Sequence, residues 1–131
     1  MTITSINDVT KLNNGVLMPR FGLGVWKAKG QEVVDAVTWA IEAGYRHIDT
    51  AAVYGNEKEV GIALQNCGIS RKDLFITSKV AKMGYKEALD SMDQTLCDLQ
   101  TDYVDLFLIH WPHPELGDTY LEMWRAMERI Y

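Results

Sequence analysis

Apolar positions in this chain follow two alternating periods. From Gln31 to Ala43, the residues Val33, Val37, Ala40 and Ile41 recur at helical spacing, and Gly44 stands where a helix ends. Glu57 to Asn66 repeats the pattern, with Val60, Leu64 and Cys67 on one stripe and Gly68 closing it. Lys86 to Leu99 does the same with Leu89, Met92, Leu96 and Leu99. A last helix, capped by Asp118 or Thr119, spaces Tyr120, Trp124, Met127 and Tyr131 for one face. Between these stretches stand short apolar runs: Phe21 to Val25, Tyr45 to Asp49, Asp73 to Lys79 and Tyr103 to His110. Each reads as a strand, and the unbroken Leu106–Ile109 suits one buried on both faces. Pro112 and Pro114 end the fourth. Ahead of them all, Asn14-Gly15 between Val9–Leu12 and Val16–Pro19 predicts a β-hairpin. Its expected role is a lid or plug without chemistry.

The order is therefore a hairpin followed by βαβαβαβα, within a single domain. Strands separated by helices of this length pair in parallel through right-handed crossovers. The fold class is α/β.

That arrangement changes how the strand ends are read. Asp49, Lys79 and His110 each follow an apolar run, so each leaves the core at the carboxyl end of its strand. In a parallel sheet these ends share one edge, where α/β folds place their sites. Tyr54 lies in the loop just past Asp49 and reaches the same space. Taken singly, the aspartate reads as a helix cap, the lysine as a solvated charge, and the histidine and tyrosine as packing. Taken together, they form a site. Asp49 and Lys79 can pair. An ammonium beside a phenol favours the phenolate, which makes Tyr54 a proton donor. His110 can hold a carbonyl oxygen in place. Trp26 and Trp111 can wall an apolar pocket.

Charge and composition narrow the alternatives. The net charge is −5 and no basic block occurs, which argues against nucleic acid. No apolar run approaches the roughly 18 residues of a membrane span. Met1 to Thr10 lacks the basic region and apolar core of a signal peptide, which points to the cytoplasm. Cys67 and Cys97 read as buried or half-buried thiols. His110 and His113 flank Pro112 with poor spacing for a metal, so no metal is expected. No serine or cysteine stands beside a base as a nucleophile. Gly22-Leu23-Gly24 lacks the third glycine of a dinucleotide fingerprint. A proton donor without a nucleophile suits carbonyl reduction, given an external hydride source, or isomerisation.

The run Gly44-Tyr45-Arg46-His47-Ile48-Asp49-Thr50-Ala51, with Glu57, Val60 and Gly61 following, resembles the first signature of the aldo-keto reductases. Met18–Trp26, Phe75–Lys79 and Asp102–Pro112 are similar to further segments of that family. The chain is similar to the bacterial and protozoan branch that includes diketogluconate reductases and prostaglandin F synthases. It implies an NADPH-dependent oxidoreductase that reduces aldehydes or ketones to alcohols. The implied catalytic residues are Tyr54 as proton donor, Asp49 and Lys79 tuning it, and His110 orienting the substrate. Gly24, Val25, Trp26 and Asp49 would meet the cofactor. Trp26, Val53, His110 and Trp111 would line the substrate pocket. The implied architecture is the N-terminal half of a TIM barrel, spanning 1–131, with four of eight βα units. Such barrels typically need about 250 residues. Unpaired sheet edges would then favour self-association. The alternative reading is a truncated, inactive binding or structural module that oligomerises. The sequence departs from the family after Lys79: Val80-Ala81-Lys82-Met83-Gly84-Tyr85 is short and lacks the usual Trp-Asn pair.

Overall fold

A computed structural model describes residues 4–131. Met1 to Ile3, part of the stretch read above for a leader, lie outside the described residues. The hairpin forms from β1 (Val9–Lys11) and β2 (Leu17–Pro19), with Gly15 in the turn at φ 90°. Then follow β3 (Leu23–Gly24), α1 (Gln31–Glu42), β4 (His47–Asp49), α2 (Glu57–Asn66), β5 (Phe75–Val80), α3 (Tyr85–Leu99), β6 (Leu106–Ile109) and α4 (Asp118–Ile130). The four core strands pair in parallel in the order β3-β4-β5-β6. These are consecutive (β/α) units of a TIM barrel.

Register decides which side chains share a face. Gly24 pairs with Asp49, Asp49 with Thr77, and Thr77 with Leu106. Registered neighbours in a parallel sheet point the same way, and so does every second residue along a strand. Lys79 stands two residues past Thr77 and opposite Leu108, and His110 stands two past Leu108. Gly24, Asp49, Lys79 and His110 therefore lie on one inner face, Gly24 level with Asp49 and then Lys79 and His110 each a step further toward the carboxyl edge. The alternate residues face outward into the helices. Ile48 and Ile76, both 0% exposed, pack with Val33, Val37 and Ile41 of α1 and Val60 and Leu64 of α2. Val80 packs with Ala88, Met123 and Ala126.

The hairpin leads into the amino end of β4. The Pro19 carbonyl meets His47 Nδ1 at 3.2 Å, and His47 Nε2 meets Thr77 Oγ1 at 2.9 Å. Gly22 passes so close that a Cβ there would lie 2.8 Å from the His47 carbonyl oxygen.

Several expected elements differ in extent. The first core strand is two residues long, because Gly22 packs on His47 and Phe21 packs on Tyr45, with ring centroids 5.0 Å apart. The fourth begins at Leu106 because Asp105 takes the Ile76 N–H with its side chain, at 2.8 Å, and pairs with Arg71 at 2.7 Å. Neither Asp118 nor Thr119 caps the last helix. Gly117 holds the cap position at φ 51°, with no side-chain bond. The buried stripe of α4 is Met123 and Ala126, which leaves Trp124 and Tyr131 exposed. On α3 the deepest positions are Ala88, Ser91, Thr95 and Leu99, while Leu89, Met92 and Leu96 are half-buried. Cys67 is half-buried, but Cys97 is exposed, because its position on α3 lies off the stripe that packs inward.

Gly61 on α2 permits a close crossing with the end of α3. At Gly61 a Cβ would stand 2.5 Å from the Asp98 carbonyl oxygen and 2.9 Å from the Leu99 carbonyl carbon, both backbone atoms that cannot yield cheaply. Gly61→Ala is expected to destabilise by about 2–3 kcal/mol, as overpacking does. Urea denaturation checks this, and an unchanged midpoint would refute it.

Candidate active site

The loop after β4 is built to present a phenol. Ala51 is extended, Ala52–Tyr54 form one 3-10 turn, and Gly55 takes the left-handed conformation at φ 66° that lets α2 begin at once. The Tyr54 N–H donates to the Ala51 carbonyl at 2.9 Å, closing the turn. The phenol is thereby held above the end of β5.

Lys79 is the hub. Its ammonium donates to Asp49 Oδ1 at 2.7 Å and to the Thr50 carbonyl at 2.8 Å, and it lies 3.4 Å from the Tyr54 hydroxyl. Three acceptors account for its three protons. The lysine side chain is 14% exposed and the aspartate 37%, so the pair opens to solvent on the aspartate side. Tyr54 also sets its ring edge-on to His110, with centroids 5.6 Å apart and planes at 80°. His110 in turn stacks on Trp111 at 13°. The four strand-end and loop groups expected to form a site are thus brought together.

His110 is held neutral. Burial lowers its pKa below the usual histidine value, and the Lys79 charge lowers it further, against a smaller opposing effect of Asp49. Its Nδ1 is buried without a hydrogen-bond partner among the described residues. A buried unpaired acceptor is tolerated better than a buried unpaired N–H.

Around these polar groups stands an apolar rim. Trp26, Val53 and Trp111 are 67%, 58% and 63% exposed, each in a loop past the carboxyl end of a strand. Gly24 is exposed, with open space where a Cβ would stand. Val25 lies beneath this rim. Its side chain is 2% exposed and points into the core, its N–H donates to the Asp49 carbonyl, and its carbonyl accepts from Asn56. It can shape the loop but cannot lay its side chain on a ligand.

Buried groups beneath the site were invisible in the sequence pattern. Glu57 is 5% exposed, and Ser78 Oγ and Thr95 Oγ1 donate to its carboxylate at 2.6 and 3.2 Å. Asn56 is 2% exposed and bonds three other loop positions. Both follow directly on Tyr54-Gly55, and a polar pair at the head of a helix reads as ordinary capping from sequence alone. Burial raises the Glu57 pKa above the usual 4.5, against the opposing bonds from Ser78 and Thr95. A carboxyl whose folded pKa is raised favours folding below its unfolded value and loses that contribution as pH rises through the folded value. Stability of the wild-type chain is therefore expected to fall from about pH 4.5 upward relative to Glu57→Gln, which cannot ionise. Urea midpoints taken across this range test it, and parallel profiles for the two proteins would refute it.

With this geometry in hand, the relatives are informative. The model of the Aldo/keto reductase family matches residues 20–131. The chain belongs to the aldo/keto reductase family. It is 50% identical over 131 residues to the glyoxal reductase of Bacillus subtilis (strain 168), covering 98% of this chain and 46% of that protein. It is 48% identical over 119 residues to methylglyoxal reductase DkgA of Escherichia coli (strain K12), covering 91% and 43%. An aldo/keto reductase from Brucella melitensis superposes with a TM-score of 0.89 at 48% identity, over 94% of this chain and 48% of that one. A Bombyx mori aldo-keto reductase in complex with NADP superposes at 0.82 with 37% identity, over 96% and 47%. This aldo/keto reductase chain spans about half the length of the curated relatives it matches. No helix among the described residues is long and apolar enough to cross a membrane.

Proposed function

We propose that this chain carries the proton-donating site of an NADPH-dependent reductase that turns small aldehydes or ketones into alcohols. Relatives named for glyoxal and methylglyoxal support α-oxoaldehydes as substrates. The observation that carries the reading is the Lys79 ammonium set between the Asp49 carboxylate and the Tyr54 hydroxyl.

Reduction of a carbonyl adds a hydride to carbon and a proton to oxygen. Tyr54 gives the proton. The ammonium 3.4 Å away stabilises the phenolate left behind, and Asp49 keeps that ammonium in place. His110 donates a ring N–H to the carbonyl oxygen and so orients it toward the phenol. Trp26, Val53 and Trp111 bind the apolar part of the substrate and exclude water from the reacting carbonyl.

NADPH, when bound, supplies the hydride. The residues present fit its nicotinamide end. Gly24 leaves open space at the strand end beside Asp49, and Trp26 offers an exposed indole in the adjoining turn. Gly24, Trp26 and Asp49 would hold that end, with Val25 contributing only its backbone.

NADPH oxidation with methylglyoxal and with an aromatic aldehyde tests the reading. Carbonyl-dependent loss of NADPH is expected. NADPH binding without turnover on either carbonyl would overturn it.

A further inference from the structure

Asn56 heads α2, yet its side chain does not cap that helix. Thr50 Oγ1 donates to Asn56 Oδ1 at 2.9 Å, and Asn56 Nδ2 donates to the carbonyls of Val25, at 2.9 Å, and Ala28, at 3.1 Å. The two acceptors bracket one turn. Inside it Lys27 has φ 71°, a left-handed backbone that lysine rarely adopts. Its ammonium lies 4.5 Å from the ring centroid of Trp26, the exposed tryptophan of the rim. Thr50 in turn offers its carbonyl to Lys79. One buried carboxamide therefore links the turn that carries Trp26, the loop that carries Tyr54 and the backbone oxygen that holds the ammonium.

We propose that Asn56 is a positioning residue that holds the strained Val25–Ala28 turn in place, and with it the indole of Trp26 on the rim of the site. The carboxamide suits this task because it accepts once and donates twice from one short side chain. An aspartate would still accept from Thr50 but would set an oxygen against two carbonyls. A valine at Thr50 would remove the Thr50 bond and leave both donations to the turn intact. The consequence for Trp26 as a substrate wall rests on the carbonyl-reductase reading, while the clamp itself does not.

Hydrogen exchange of peptides covering residues 24–29 tests the clamp without any assay of activity. The protected amides there are Val25, bonded to the Asp49 carbonyl, and Ala28, bonded to the Val25 carbonyl. Exchange is expected to quicken at least about tenfold in Asn56→Asp and less than about threefold in Thr50→Val. Lys27→Gly relieves the left-handed strain, so adding it to Asn56→Asp is expected to slow exchange again by about threefold or more. A residue that merely filled buried space would show no such rescue. Should Asn56→Asp alone fail to fold, folding of the Lys27→Gly double variant supports the clamp, and its failure overturns it. Unchanged exchange in Asn56→Asp, or no rescue by Lys27→Gly, also overturns it. An inactive protein with the expected exchange pattern would sink the functional reading and leave the clamp standing.

Discussion

Tyr54→Phe is expected to lower kcat for carbonyl reduction by about 10³-fold, within the range that general acid catalysis contributes. The substitution removes one oxygen and little else. The hydroxyl's bond to Lys79 is long, at 3.4 Å, so the fold loses about 1 kcal/mol or less. The ring keeps its edge-on contact with His110, which preserves the wall of the site. KM for the carbonyl and affinity for NADPH are therefore expected to stay within about threefold, the signature of a group that acts in the transition state. Steady-state kinetics and NADPH titration of the Tyr54→Phe variant check this. Retention of more than about a tenth of the rate would remove Tyr54 from its proposed role, since any other donor would have to replace it through the same space.

Lys79→Met carries the second large effect. It deletes the charge that steadies the phenolate and is expected to lower kcat by about 10²–10³-fold, the loss seen when one preorganised donor is removed. Its stability cost is smaller than its central position suggests. Asp49 is 37% exposed and can be rehydrated, so the ion pair itself contributes little. The fully buried Thr50 loses the partner of its carbonyl, which costs about 1–2 kcal/mol. Because Lys79 acts through Tyr54, the two losses should not add. The double variant Tyr54→Phe with Lys79→Met is expected to fall within about threefold of the worse single variant. Steady-state kinetics of the three variants check this, and full additivity of the two losses would show that Lys79 acts on something other than the phenol.

The strands and helices were legible because their periods differ, and α2 begins and ends where the spacing of Val60 and Leu64 places it. The face of α1 was legible in full, since Val33, Val37, Ala40 and Ile41 are its buried residues, while α3 and α4 were legible only in part. On α3 the apolar residues Leu89, Met92 and Leu96 suggested the inward face, yet Ser91 and Thr95 lie deeper. Thr95 turns inward because it donates to the buried Glu57, while Leu99 of the expected stripe is fully buried. On α4 the expected face held in part: Met127 packs half-buried beside Met123 and Ala126 against Val80, while Trp124 and Tyr131 stay outside.

The sequence by itself determined the alternation of strands and helices, and from it the shared edge of Asp49, Lys79 and His110. Parallel pairing puts all strand ends on one side, whatever the packing, so a residue's place after an apolar run was enough. Only the tertiary structure decided how those groups meet. The register steps Asp49, Lys79 and His110 up one inner face, and a single 3-10 turn lowers Tyr54 to 3.4 Å from the ammonium. Distances of that kind depend on contacts between segments some thirty residues apart, which no local pattern encodes. The same holds for Asn56 and Glu57. Their identities suggested a helix start, and their burial against other loops made one the tie between three segments and the other a carboxyl with a raised pKa.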